Sequence, residues 1–188
     1  VLKMNESGIN QGTSGNAAVR TDDGYLITPS GMAYEDIRPE DVVYKRIDGD
    51  YESPNGLRKP SSEWRFHEDI FVARDDVEAI VHTHGKAVMT IACMRKDVPA
   101  FHYMIGVTGG QTIRCAPYET FATQALSDVA VKALKGRKAC LLANHGQIAV
   151  GGNLKQALSM ALEVETLCEV YWRIPVSYTH LRAHETVV

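Results

Sequence analysis

The sequence predicts a single mixed α/β domain built on antiparallel hairpins, and three observations lead there. At 188 residues and 45% hydrophobic, the chain is long enough to bury one sizeable core and too short to expect two. Alternating apolar runs separated by Asp and Gly recur between residues 17 and 51, which is the signature of hairpins. After Pro60 the apolar spacing changes to that of helices, and helical and strand-like runs then alternate to the end.

The opening VLKMNESGIN reads as the last turn of a helix. Residues 17–20 and 25–28 alternate on either side of Asp22, Asp23 and Gly24, so they pair as a hairpin. Residues 42–47, followed by Asp48, Gly49 and Tyr51, repeat the pattern. In SSEWRFHEDIFVAR, Trp64, Phe66, Ile70 and Phe71 fall near helical spacing, with Ser61 or Ser62 as the expected cap. A strand is expected over 79–84, a helix over 87–94, a break at Gly109 and Gly110, and a strand in TIRCA from Thr112. Residues 120–134 carry Phe121, Leu126, Val129, Ala130 and Leu134 on one side of a predicted helix. Residues 139–143 and 147–150 read as strands, and Asn153 caps a long helix through Trp172 that Pro175 is expected to end.

Composition narrows the partners. A formal net charge of -3 and a pI near 6.2 give no general reason to bind nucleic acid or a membrane surface, so an anionic ligand must be held by local chemistry. Cys93, Cys115, Cys140 and Cys168 are far apart with no CxxC pair, which argues against a disulfide framework or a zinc ribbon and favours a reduced, cytoplasmic setting. No apolar run reaches the roughly 18 to 20 residues of a membrane helix, and no leader pattern is present.

The chemistry gathers around AIVHTH, residues 79–84. Side chains two apart on a strand share a face, so His82 and His84 can present both imidazoles to one ion. The same pair also suits two hydrogen-bonded histidines at a strand end, and spacing alone does not choose. Asn144-His145-Gly146 sits at a tight turn between two strand-like runs, from which His145 would reach the pair as third ligand. Three histidines leave one tetrahedral position of a zinc ion open, as in catalytic sites. Glu63, at a helix start, has the chemistry of the base such a site needs, although a carboxylate is also favoured there by the helix dipole. The glycine-rich GINQGTSGN and the TPSG turn offer backbone amides and hydroxyls, and with the helix start at Ser61 and Ser62 they would form a phosphate cradle. Gly, Ser and Asn make turns for ordinary reasons as well.

Taken in order, NQGTSGN, ITPSG, KPSSEWRFH, VHTH, PAFHYMI, CAPY and NHG resemble the class II aldolase/adducin family, and among its branches most closely that of the fuculose-phosphate aldolases. The resemblance runs from about Gly8 to Trp172. It implies a three-layer αβα fold with a central, mainly antiparallel sheet, over a domain of residues 1–175. It implies a zinc held by His82, His84 and His145, with Glu63 as acid/base and as a metal ligand when substrate is absent. Phosphate-binding residues carried over by position are Thr13, Gly15, Asn16, Ser30, Gly31, Ser61 and Ser62. Tyr103 matches a tyrosine that reaches a neighbouring subunit's site in a cyclic homotetramer and handles the aldehyde oxygen. The implied reaction is reversible cleavage of a ketose 1-phosphate, such as L-fuculose 1-phosphate, to dihydroxyacetone phosphate and an aldehyde, with zinc as Lewis acid.

Relatives keep other readings open: an aldolase for 5-deoxypentulose or 5-methylthioribulose 1-phosphate, a sugar-phosphate 4-epimerase, a dehydratase, or a non-enzymatic adducin-like module. Glu63 speaks against the epimerase, which typically has aspartate there, and the retained histidines speak against the module. At the ends, the family's N-terminal helix is mostly missing, and IPVSYTHLRAHETVV resembles a translated cloning adapter. Residues 176–188 are therefore expected to be non-native or disordered, with His180 and His184 forming no second metal site.

Overall fold

The Asp22-Asp23 turn closes the first hairpin as its residues dictate. Strands β1 (Asn16–Arg20) and β2 (Gly24–Ile27) pair antiparallel with Val19 opposite Leu26. The structure, a computed structural model, describes residues 1–185 and side chains through Ile174. A short helix α1 (Leu2–Glu6) precedes the hairpin, and β3 (Val43–Arg46) and β4 (Tyr51–Glu52) extend it. On its other side β1 pairs with β5 (Ala79–Thr83), which pairs in turn with β8 (Gly146–Gly151); β7 (Ala139–Leu142) and β6 (Arg114–Ala116) complete the sheet. The eight strands run in the order β4-β3-β2-β1-β5-β8-β7-β6, and only β6 and β7 are parallel.

Both faces of the sheet are covered, so its central strands are apolar on both sides. On one face α3 (Lys86–Cys93) and α5 (Leu154–Glu185) pack Val88, Ile91, Ala161 and Val164 onto Ala79, Val81, Leu141 and Ala149. On the other, α2 (Trp64–Ala73) and α4 (Gln124–Leu134) pack Phe66, Ile70, Phe71 and Leu126 onto Ile80, Cys140, Ile148 and Val150. This is the three-layer αβα arrangement expected. The period-two alternation of β5, with Ala79 and Val81 one way and Ile80 the other, carries His82 to the α2 side, where its ring lies 5.3 Å from that of Phe66.

Charged side chains fasten the layers at helix ends, where carbonyls and amides lack partners. Arg74 donates to the carbonyls of Leu134 and Arg137 at 2.8 and 3.0 Å, and Arg114 to those of Ala133 and Lys135, closing the C-terminal end of α4. The Glu165 carboxylate of α5 accepts from the amides of Ala87 and Val88 at 2.8 and 3.0 Å, capping α3. Lys45 and Glu68 form a buried ion pair at 2.7 Å that ties β3 to α2, with the Tyr25 hydroxyl 3.2 Å from the same carboxylate oxygen.

Three sequence expectations change. The N-cap of α2 is Glu63, not Ser61 or Ser62, and no side chain caps it; the serines turn into a cavity described below. Helix α4 starts at Gln124 with the Thr123 hydroxyl accepting from the Leu126 amide at 3.3 Å. Phe121 is therefore not on its buried face, because Ala122 takes a left-handed φ of 60° that a helix cannot include. Asn153 does cap α5, accepting from the Gln156 amide at 2.9 Å, but the helix continues past Trp172 and Pro175 to Glu185. A proline removes one bond of the ladder and can persist as a local interruption in a long helix. The side chains of His180 and His184, and residues 186–188, lie outside the described residues.

Candidate active site

Strand register brings the three histidines together. His82 pairs with Asn16 on β1 and with Ile148 on β8, so the turn leading from β7 into β8 ends beside the chain that leaves β5. His145 stands on that turn, between Asn144 at a φ of 57° and Gly146. A Cβ on Gly146 would lie 2.4 Å from the Thr83 carbonyl and 2.9 Å from the His84 ring, so only glycine lets the turn approach this closely. The ring centroids of His82, His84 and His145 are separated by 4.5, 4.9 and 5.1 Å, and one ligand nitrogen from each lies within 4.8 Å of the others.

Hydrogen bonds fix which nitrogen faces inward. His82 Nδ1 is 2.8 Å from the Gln147 carbonyl, which only accepts, so Nδ1 carries the proton and Nε2 presents a lone pair. His84 Nδ1 is 3.2 Å from Asn10 Oδ1, which also accepts from the His84 amide at 3.1 Å. Such partners on the far nitrogen set the tautomer and orientation of a ligating imidazole. His82 Nε2 and Glu63 Oε1 are buried without a hydrogen-bond partner, and polar atoms left so are costly. A cation among these atoms would satisfy them, so the donor set fits a metal ion of zinc's ligand preference.

The ionisable groups of the cluster shift one another. Burial, reinforced by the neighbouring His82 and His145, drops the His84 pKa to about 3, which keeps the imidazole neutral as ligation requires. Burial alone would raise the Glu63 pKa, but His82 and His145 override it and hold the carboxyl well below the usual range. Burial opposes charge on His82 as well, and Glu63 overcomes it and raises the pKa. Glu63 Oε2 lies 3.1 Å from His82 Nε2, and Oε1 lies 3.2 Å from His145 Nε2.

Beside the histidines opens a cavity of about 240 Å³. Its wall includes Thr13 and Gly15 from the first loop, Ser30 and Gly31 from the TPSG turn, and Ser61 and Ser62 from the start of α2. The last two segments are pinned by an antiparallel bridge between Pro29 and Pro60, with the Ser30 amide donating to Lys59 and the Ser61 amide to Thr28, both at 3.0 Å. The first is held by the Tyr34 hydroxyl, which donates to the Gly15 carbonyl at 2.5 Å and accepts from Asn10 at 3.2 Å. A Cβ on Gly15 would meet the His82 carbonyl at 2.6 Å. With the N-terminus of α2 facing the same space, the arrangement favours an anion. Glu63, His84, His145 and Phe121 also line it.

Two predicted residues stand elsewhere. Asn16 does not line the cavity; it lies buried behind Glu63, donating to Oε2 at 2.9 Å. Tyr103 opens a 3-10 helix (Tyr103–Thr108), is 84% exposed and is not part of its own chain's cavity wall. Conversely, Phe121 lines the cavity at 57% exposure although its spacing assigned it to a helix face. Asn10 lies within the glycine-rich GINQGTSGN, where no local pattern marks it as a partner of His84. Gln147 acts through its backbone carbonyl, which no side-chain pattern reveals.

Residues 1–172 match the Class II Aldolase and Adducin N-terminal domain. The chain belongs to the class II aldolase and adducin family. Among family members, a 5-methylthioribulose-1-phosphate/5-deoxyribulose-1-phosphate aldolase of Rhodospirillum rubrum is 53% identical over 166 residues, covering 88% of this chain and 74% of that protein. An L-fuculose phosphate aldolase of Escherichia coli K12 is 46% identical over 170 residues, covering 90% of this chain and 78% of that one. A solved L-fuculose 1-phosphate aldolase superposes with a TM-score of 0.88 at 39% identity, covering 93% of this chain and 82% of that one. Among the described residues, no helix is long and apolar enough to cross a membrane.

Proposed function

We propose that this family member is a zinc-dependent aldehyde-lyase that reversibly cleaves a ketose 1-phosphate to dihydroxyacetone phosphate and an aldehyde. The observation that carries the reading is the meeting of the three-imidazole cluster with a cavity of about 240 Å³ walled by His84, His145, the buried Glu63 carboxylate and three pinned turns suited to an anion. A bound zinc would supply Lewis acidity to the substrate's carbonyl and adjacent hydroxyl oxygens. Thr13, Gly15, Ser30, Gly31, Ser61 and Ser62 would hold the phosphate and so fix the reacting carbons beside Glu63. In the synthetic direction Glu63, kept ionised, takes the proton from the carbon next to the carbonyl; in cleavage it returns it. No Schiff-base lysine is required.

Tyr103, exposed and outside its own chain's cavity wall, would act at the aldehyde oxygen in a neighbouring subunit of a homotetramer. Retention of the three histidines and Glu63, with buried atoms that call for a cation, favours an enzyme over a binding module. L-fuculose 1-phosphate is one proposed substrate. A 5-deoxyribulose or 5-methylthioribulose 1-phosphate is the second, favoured by the 53% identity to an aldolase named for both. A cleavage assay on a panel of ketose 1-phosphates, with coupled detection of dihydroxyacetone phosphate, tests the proposal. Turnover of none of them by metal-loaded protein would overturn it.

A further inference from the structure

We infer that His67 is a positioning residue: through Asn16 it sets the direction of the amide that holds the Glu63 carboxylate. The inference rests on the proposed acid/base role of Glu63.

His67 follows Glu63 by one helical turn and is fully buried. Its Nε2 lies 2.5 Å from Asn16 Oδ1, and the Nδ2 of the same amide lies 2.9 Å from Glu63 Oε2. The three side chains form a line from the interior of α2, across β1, to the edge of the cavity. Chemistry fixes its direction. An ionised carboxylate only accepts, so the NH2 of Asn16 must face Glu63 and its oxygen must face His67. His67 therefore has to donate from Nε2, which leaves Nδ1 bare, and Nδ1 is indeed buried with no hydrogen-bond partner. With the proton on Nδ1 instead, Nε2 would require the NH2 group and the amide would turn its oxygen toward the carboxylate, setting two acceptors against each other.

A buried ring that leaves one nitrogen unpaired is costly as pure architecture. What it secures is a single orientation of Asn16, whose backbone is paired to that of His82. Glu63 is thereby held from behind while its other oxygen faces His145. His67 is not among the residues that line the cavity and its side chain bonds to Asn16, so it is not itself a catalytic residue.

The test has a spectroscopic and a kinetic arm. In metal-loaded wild-type protein labelled with 15N-histidine, His67 should appear as the neutral tautomer protonated at Nε2; protonation at Nδ1 overturns the inference whatever any variant does. Kinetically, His67→Leu should lower kcat by about 10- to 100-fold, the usual worth of a supporting partner, with KM for the ketose phosphate within about twofold. His67→Gln, which can still donate to Asn16, should restore most of the rate. In an Asn16→Ala background His67→Leu should add no further loss. Glu63→Gln, measured alongside, separates the two ideas. A wild-type rate in Glu63→Gln removes the acid/base reading. A slow Glu63→Gln together with an unimpaired His67→Leu removes only the role assigned to His67.

Discussion

Oε2 of Glu63 stands 3.1 Å from Nε2 of His82, although both atoms are acceptors when the imidazole is neutral. Each burial is unfavourable to charge, yet the carboxyl's pKa is pulled down and the imidazole's raised by the other. A cation bound to Nε2 would serve both atoms in place of that proton. The expected consequence is about one zinc per chain in protein purified without added metal, read by elemental analysis. His82→Ala, His84→Ala and His145→Ala should each lose it. Metal-free protein whose cleavage survives a strong chelator would end the class II reading.

Glu63→Gln should keep the metal and the fold, since the amide is nearly isosteric and three imidazoles remain. The proton acceptor is gone, however, and the rate of cleavage and of proton exchange on dihydroxyacetone phosphate should fall by about 10² to 10⁴-fold. Equal rates in variant and wild type would reduce Glu63 to the N-cap of α2.

That N-cap shows where the sequence was legible and where it was not. The hairpins could be read because alternation and Asp-Asp-Gly are local, and His82 and His84 because two-residue spacing on a strand is itself a geometric statement. His145 needed only a turn. Phe121 departs from its helical spacing because a single left-handed residue, Ala122, stands between it and α4. The partners that fix tautomers, Asn10 and the Gln147 carbonyl, depend on contacts 74 and 65 residues away along the chain, which no local pattern encodes. Pro175 illustrates the converse, a strong local signal that the observed helix overrides.

His67 gives a pH prediction with a definite sign. Burial first, then the nearby His82, lowers its pKa to about 3, against about 6.5 in an unfolded chain. Between these values the unfolded state binds the extra proton, so stability rises with pH across about 3 to 6.5 and is lost as pH falls. From pH 7 to pH 5 this one residue should remove about 2 kcal/mol. Urea unfolding of wild type and His67→Gln at the two pH values measures it, and the variant should show a loss smaller by about that amount. Equal losses in both proteins would place the His67 pKa near its ordinary value.

The cradle predicts that phosphate supplies much of the ground-state affinity, because three pinned segments and the α2 N-terminus face it. Inorganic phosphate should compete with substrate, and an unphosphorylated ketose should be a far poorer substrate than its 1-phosphate. Ser61→Ala, which removes a buried hydroxyl at that wall, should raise KM more than it lowers kcat. Equal turnover of a ketose and its phosphate would leave the cavity without this role.

In the proposed reaction, Phe121 should influence which aldehyde is released. Its phenyl ring lines a cavity otherwise walled mainly by small and polar groups, and Ala122, at a φ of 60°, separates it from α4, which begins at Gln124. An exposed ring contributes little to folding, so Phe121→Ala should change stability by no more than about 0.5 kcal/mol. Its effect should fall on the end of the substrate remote from phosphate, where an apolar tail meets a ring or does not. One apolar group in such a contact is worth about 1–3 kcal/mol, or roughly 10- to 200-fold in kcat/KM. The variant should therefore lose efficiency toward a 5-deoxy or 5-methylthio ketose phosphate more than toward one whose tail carries hydroxyls. Measuring both ratios on the same preparations removes differences in metal content. A uniform loss across the panel would show that Phe121 shapes the cavity as a whole and does not select the aldehyde.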